Sequence, residues 1–138
     1  MAVLDLTEFK NLITSAIVQK LLSAHNLKKE DIEEIKFKQN YSIDNCVFKD
    51  FTSLKKVENI RFAKSIGKFA FKNCISLEEI DLRYLPTIQQ GAFSGCKNLK
   101  KVIFAKDAAI KEEAFADCSS LKTLSNSQHV KSYCSTSF

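Results

Sequence analysis

Apolar residues recur along this chain in a fixed frame of polar spacers. Ile66, Ala70, Phe71, Cys74, Leu77 and Ile80 are followed 22 residues later by Ile88, Ala92, Phe93, Cys96, Leu99 and Val102. The same step leads on to Ile110, Ala114, Phe115, Cys118, Leu121 and Leu124. The shared frame is I-x-x-x-A-F-x-x-C-x-x-L-x-x-(I/V/L). A period between about 20 and 50 residues marks a solenoid of stacked units, each too small to bury its own apolar face. Upstream, Ile43, Phe48, Leu54 and Val57 stand 23 residues before Ile66, Phe71, Leu77 and Ile80. One residue is therefore inserted between Val57 and Ile66, as a loop or a bulge. In that copy Val47 replaces the Ala and Phe51 the Cys. A half repeat precedes it, since Ile32-Glu33-Glu34-Ile35-Lys36-Phe37 matches Leu77-Glu78-Glu79-Ile80-Asp81-Leu82.

Each repeat has two halves. L-x-x-I-x-(L/F) alternates apolar and polar positions, the mark of a strand with one buried face. A-F-x-x-C-x-x-L spaces its apolar residues three to four apart, which predicts a short helical or 3₁₀ turn. Stacking puts like on like. The strands then form a parallel sheet at about 4.8 Å spacing, and Phe48, Phe71, Phe93 and Phe115 form an aromatic spine. Before the repeats, Leu6, Phe9, Leu12, Ile13, Ile17 and Leu21 fall on one face of a helix predicted over residues 6–22. Asp5 and Glu8 serve as its capping pair and Asn26 as its stop. Such a helix either covers the open apolar end of the array or lies on a membrane surface; its polar face carries Glu8 and few cations, which favours the cap. The chain thus divides into an N-terminal capping helix (1–26), repeats comprising one half repeat and about four coils (27–124), and a polar tail (125–138). In the tail, Val130, Tyr133 and Phe138 are candidates to fold back over the last coil.

The frame resembles the leucine-rich repeat family in its BspA-like form, whose units read roughly I-x-x-I-G-x-x-A-F-x-x-C-x-x-L-x-x-I-x-(I/L). Ile66-Gly67, Ala70-Phe71, Cys74, Leu77 and Ile80 carry the match, which extends over residues 32–124. The resemblance implies an α/β fold, a short leucine-rich-repeat solenoid with the parallel sheet on its concave side. It also implies a role in binding other macromolecules, with no shared catalytic residues. The chain departs from many members in lacking a Pro after the strand; Pro86 alone comes near.

Composition narrows the function. The 138 residues suit one domain, and 45% hydrophobic with 27% charged residues suits a soluble one. No apolar run approaches the roughly 18 residues that span a bilayer. Five cysteines are present. Cys74, Cys96 and Cys118 share one column. Their parallel Cβ vectors fit a disulfide poorly, so a ladder of buried, reduced thiols is expected beside the Phe spine. Cys46 and Cys134 lie off the column. No C-x-x-C pair exists, and His25 and His129 lie near the ends, so neither a metal site nor a cofactor is expected. Three glycines provide no phosphate-binding loop, and neither His has a nucleophile at a recognisable spacing. An enzyme with a small-molecule substrate is not expected. The unpaired thiols and the acidic Asp5, where a signal peptide has its basic start, favour the cytoplasm. The resembling family is often found on cell surfaces, which would require an upstream signal.

The outward strand positions hold the candidate chemistry. One column reads Glu34, Lys56, Glu79, Lys101, with opposite charges side by side. The next reads Lys36, Glu58, Asp81, Ile103, and a third contains Lys38, Arg83 and Ala105. The first column stabilises the stack, at roughly 0.2–1 kcal/mol per exposed pair, or offers a mixed-charge contact surface; the two roles are compatible. The candidate partner-binding residues are Lys36, Glu58, Glu79, Asp81, Arg83, Lys101 and Ile103. Ile103 either anchors a partner within a charged rim or lies under the tail residues 133–138. The expected function is a non-catalytic protein–protein interaction module. The alternative is a structural unit that self-associates through its open C-terminal coil. Nucleic acid is disfavoured despite the net charge of +5, because acids interrupt the cations and the aromatics belong to core columns.

Overall fold

The alternating half of each repeat forms strands where the pattern places them. β1 (Ala2–Asp5), β3 (Ile32–Lys36) and β5 (Lys56–Glu58) make one parallel sheet; β7 (Glu79–Leu82), β9 (Lys101–Phe104) and β11 (Thr123–Ser125) make another. Register follows the repeat, with Ile35 beside Val57 and Ile80 beside Val102. A second, shorter strand opens each repeat at the Ile of the frame. β2 (Asn11–Ile13), β4 (Tyr41–Ile43) and β6 (Ala63–Ile66) form a third parallel sheet, and β8 (Thr87–Ile88), β10 (Ala109–Ile110) and β12 (Ser132–Tyr133) a fourth. Two to four residues are too short a run to reveal strand alternation, so these strands are silent in the sequence. The computed structural model describes residues 2–121, 123–125, 132–133 and 136–138. His129, Val130 and Cys134 lie outside the described residues.

The A-F-x-x-C-x-x-L half is not a helix. Two residues of each repeat, four apart, take left-handed backbone: Cys46 and Asp50, Phe69 and Asn73, Gly91 and Gly95, Glu113 and Asp117. Helical bonding cannot propagate through them. The N–H groups instead alternate in direction. Phe71 donates to the Ala92 carbonyl at 2.8 Å, Phe93 to Ala114 at 2.8 Å and Phe115 to Ser137 at 2.7 Å. Between these, Lys72 donates back to Phe69 at 3.2 Å and Cys74 to Phe71 at 3.3 Å. The expected 3₁₀ character survives only in those local bonds. Every backbone donor in the run needs a partner, and half of them find it in the next repeat. Gly91 and Gly95 complete the fit. A Cβ on Gly91 would run into the Phe69 ring, and one on Gly95 into the Asn73 side chain.

These bonds set the spacing of the core. The Phe48–Phe71, Phe71–Phe93 and Phe93–Phe115 ring centroids lie 5.3, 5.4 and 5.6 Å apart, all stacked. Phe138 stacks on Phe115 at 5.5 Å. The thiol column joins the same network. The Sγ–H of Cys74 donates to the Phe48 carbonyl at 3.3 Å, Cys96 to Phe71 at 3.2 Å and Cys118 to Phe93 at 3.1 Å. All three are free thiols, but only Cys74 and Cys96 are buried; Cys118, expected to be buried with them, is half-buried because it belongs to the last coil of the column. Burial raises their pKa values: Cys74 and Cys96 far up, Cys118 to about 11. A buried thiol disfavours its charged form because the apolar surroundings replace water.

The N-terminal segment differs from the predicted helix over 6–22. Residues 2–13 supply β1 and β2, and the helix α1 runs only from Ser15 to Ala24. Asn11 is left-handed (φ 66°), which no helix passes through. Asp5 accepts bonds from the Thr7 amide and hydroxyl, at 2.9 and 2.6 Å, and makes no cap with Glu8. Thr14 caps α1 through the Ile17 amide. The apolar spacing that suggested one long helix is strand alternation in disguise. Leu4 and Leu6 are buried two apart, while Leu12 is 49% exposed. The stop at Asn26 is as expected: it is left-handed, and Leu27 donates to Leu22 while Asn26 donates to Ser23, a Schellman closure. α1 buries Val18 and Leu22 in the core.

Three outcomes are expected. Phe93→Ala, at a position that stacks on both sides, lowers stability by roughly 3–5 kcal/mol; a urea midpoint near wild type would break the register. Thiol reagents leave Cys74 and Cys96 unmodified in native protein and reach them after denaturation. The same thiols make stability pH-dependent. A thiol whose pKa is raised by folding contributes below its ordinary value, near 8.5, and that contribution is lost as pH climbs toward the folded value. The urea midpoint therefore falls from pH about 8.5 upward, less steeply in Cys74→Ala/Cys96→Ala.

Candidate functional site

The inserted residue is absorbed in β6. Tyr41 pairs with Ala63, 22 residues on, whereas Ile43 pairs with Ile66, 23 on. Lys64 and Ser65 form a bulge between these pairs. Asn59 turns left-handed directly after β5, and a 3₁₀ turn over Ile60–Phe62 follows, packed against β7. The strand ladder is interrupted here. β5 is the outer strand of its sheet and β7 the outer strand of the next. Lys55 N–H bonds Glu33 O at 2.8 Å, and Lys100 N–H bonds Glu78 O at 2.7 Å. Among the described residues no equivalent bond joins Glu78 to Lys55. On the far side the stack stays closed, with Phe48 N–H on Ala70 O at 2.8 Å. The Phe48 and Phe71 rings tilt by 20° at this junction, against 1° and 6° at the two that follow.

A groove of about 490 Å³ lies at the break. Lys55 and Lys56 stand on the β5 wall, and Glu78, Glu79 and Asp81 on the β7 wall. Lys101 and Ile103 of β9 extend the second wall, while Val57, Ile60 and Ile80 supply apolar surface. Ile60 and Ile80 are buried and Val57 half-buried. Strand alternation explains the arrangement: Val57 and Ile80 face the core, and their neighbours face solvent.

The structure gathers four of the sequence-derived candidates in this groove: Glu79, Asp81, Lys101 and Ile103. Glu58 lines an adjoining depression of about 250 Å³ with Asn59, Arg61 and Asp81. Lys36 is half-buried on β3, in register with Asp5 and Glu58, outside the groove. Arg83 lies beyond the end of β7 and turns back on Asp81, Nη2 to Oδ2 at 2.7 Å and Nε to both oxygens at 3.0 Å. It neutralises its own strand's acid and does not line the groove. Ile103 has Asp81 and Ser125 as register neighbours; β12 pairs with β10 and Phe138 stacks on Phe115, so these described tail residues belong to the other side of the repeat.

Charge pairing runs mainly through the column next to the one expected. Glu33–Lys55 and Glu78–Lys100 form ion pairs at 3.1 and 3.3 Å, and Glu34–Lys56 at 3.9 Å. Glu79 and Lys101 are register neighbours without an ion pair among those described. The sequence carries this as alternating doublets, Glu33-Glu34, Lys55-Lys56, Glu78-Glu79, Lys100-Lys101. Reading the doublets together with the 23-residue step would have located Lys55, Lys56 and Glu78. Among the described residues no three His, Cys, Asp or Glu side chains come together to hold a metal, and no helix is long and apolar enough to cross a membrane.

Residues 20–138 match the family model for the BspA type leucine-rich repeat region, in 6 copies. Among solved structures, a leucine-rich cell surface protein from Faecalibacterium prausnitzii superposes with a TM-score of 0.64 at 26% identity, covering 68% of this chain and 26% of that one. A leucine-rich repeat protein from Eubacterium ventriosum gives 0.55 at 18% identity, covering 85% and 32%, and shows the fold alone. The chain spans about a quarter to a third of the length of these proteins. Comparison with curated proteins gives no match.

Deleting Ser65, which restores a uniform 22-residue step, is expected to draw β5 and β7 together. Hydrogen exchange at the amides of residues 56–58 and 79–82 should then slow; unchanged exchange in a folded deletion variant would mean the bulge is not what separates them.

Proposed function

Because the chain belongs to the BspA-type leucine-rich repeat family, we propose that it is a non-catalytic module that binds another protein through the solvent-facing side of its strands. The repeats form one short solenoid with the β1–β3–β5 and β7–β9–β11 sheets on its concave side, and α1 closes the N-terminal end. The fate of Val18 and Leu22, buried in the core with Ile17 and Leu21 half-buried beside them while the remaining α1 residues are exposed, supports the cap. The groove between β5 and β7 carries the binding reading. It joins an apolar floor to opposed charges on walls held by hydrogen-bonded strands, and side chains on such a scaffold lose little freedom on binding. A floor of Val57, Ile60 and Ile80 with a charged rim has the make-up of a protein contact, apolar at the centre and polar at the edge. Cys74 and Cys96, buried and protonated, are poor nucleophiles. The acids on one wall oppose a polyanionic ligand.

The test is affinity capture with wild type and with Lys56→Glu/Lys101→Glu. Any protein retained by the wild type should be lost from the variant by tenfold or more, with the melting temperature unchanged. Equal retention would move the contact off this face. Concentration-dependent assembly in sedimentation, abolished by neither substitution, would favour the self-associating unit.

A further inference from the structure

The break between β5 and β7 does more than offer side chains. Two parallel strands of one solvent-facing layer confront each other across it without a shared ladder. The strand layer is open at this junction, while the turn layer behind it is held by the Cys46–Lys68, Phe48–Ala70 and Asp50–Lys72 backbone bonds, all 2.8–2.9 Å. The two repeats therefore diverge like a wedge, closed at the Phe stack and open at the sheet. The Ile60–Phe62 turn packs against β7, and no described ladder bond joins β7 to β5; strand edges left unpaired are templates for another strand. The groove of about 490 Å³ at this break also reaches over β7 to Lys101 and Ile103 of β9.

Resting on the protein-binding reading above, we infer that the wedge receives an extended segment of the partner protein as an inserted strand between β5 and β7. The flanking columns define its chemistry. The first inserted residue sits between Lys56 and Glu79, one cation and one anion, and is neutral and polar. The second faces inward between Val57 and Ile80 and is apolar. The third sits between Glu58 and Asp81, two carboxylates of which Asp81 is shared with Arg83, and is Lys or Arg. The recognised segment is thus polar–apolar–basic in extended conformation. A nucleic acid does not fit, because Glu58, Glu78, Glu79 and Asp81 border the cleft. Insertion into a ready-made pair of edges differs from contact on the face: affinity comes from the partner's backbone on both sides, and the side chains set register.

The experiment uses the full chain and the probe peptide acetyl-Thr-Thr-Val-Lys-Val-Thr-amide. Binding is expected to slow hydrogen exchange at residues 56–58 and at 79–82 together. N-methylation of the peptide at either alternate set of amides should weaken it tenfold or more, since an inserted strand bonds on both sides. Replacing its Lys by Glu should abolish binding to wild type and restore it to Glu58→Lys. The Ser65 deletion should lose the peptide; if that variant does not fold, the Glu58→Lys charge exchange carries the test. Protection of one edge only, or indifference to one set of N-methyl groups, overturns insertion. Loss of the captured partner in Lys56→Glu/Lys101→Glu combined with either of those results leaves the contact face standing while insertion fails. Partner retention in that double variant removes the face itself.

Discussion

The alternating direction of the N–H groups in the turn half of each repeat is the interaction on which the rest depends. One set closes local turns and the other reaches the next repeat, at 2.7–3.1 Å along the line from Phe69 to Phe115. That arrangement requires two left-handed residues per repeat, and the chain fills them with Asp50, Asn73, Asp117, two glycines and the less usual Cys46, Phe69 and Glu113. With the repeats held at this spacing, the Phe rings must stack, and each column thiol meets the carbonyl of the preceding Phe. That carbonyl also accepts the amide of its own repeat's Cys, as Phe71 does from Cys74. A cysteine suits the position because it is small, apolar and still able to donate.

A stack locked along one side tolerates a fault on the other. The additional residue lies in β6, in the β2–β4–β6 sheet, and the left-handed turn at Asn59 directly follows β5, where the strand ladder to β7 stops. The Phe layer answers only with a 20° ring tilt. The cost is a lost stretch of backbone pairing; the result is a cleft with charged walls and apolar floor on an otherwise regular sheet. Proposed function and structural irregularity therefore coincide in one place, as expected where local consistency yields to a binding task.

The candidate residues show which signals travel through the sequence. Glu79, Asp81, Lys101 and Ile103 were legible because strand alternation decides which side of a sheet a residue takes. Arg83 was misplaced because alternation was carried one residue past the end of β7, into a turn where its guanidinium chooses Asp81. Lys55 and Glu78 were missed because they precede the strand by one position, yet they carry the shortest ion pairs between repeats. The N-terminal segment misled for a related reason: Leu6, Phe9, Leu12 and Ile13 fit a helical spacing although residues 2–13 supply two short strands, and the local pattern alone does not separate the two.

By itself the sequence determined the repeat, its strand half, the Phe spine and the reduced thiol column, because each follows from identical residues stacking on identical residues. The tertiary structure alone decided three things. Pairing with β3 and β4 made residues 2–5 and 11–13 strands, since backbone groups bond to whichever neighbour is present. Bonds between repeats turned an apparently helical spacing into paired left-handed turns. The site of the inserted residue, β6 in place of a surface loop, decided where the strand ladder opens. All three depend on hydrogen bonds between segments 22 or more residues apart, which no local pattern encodes.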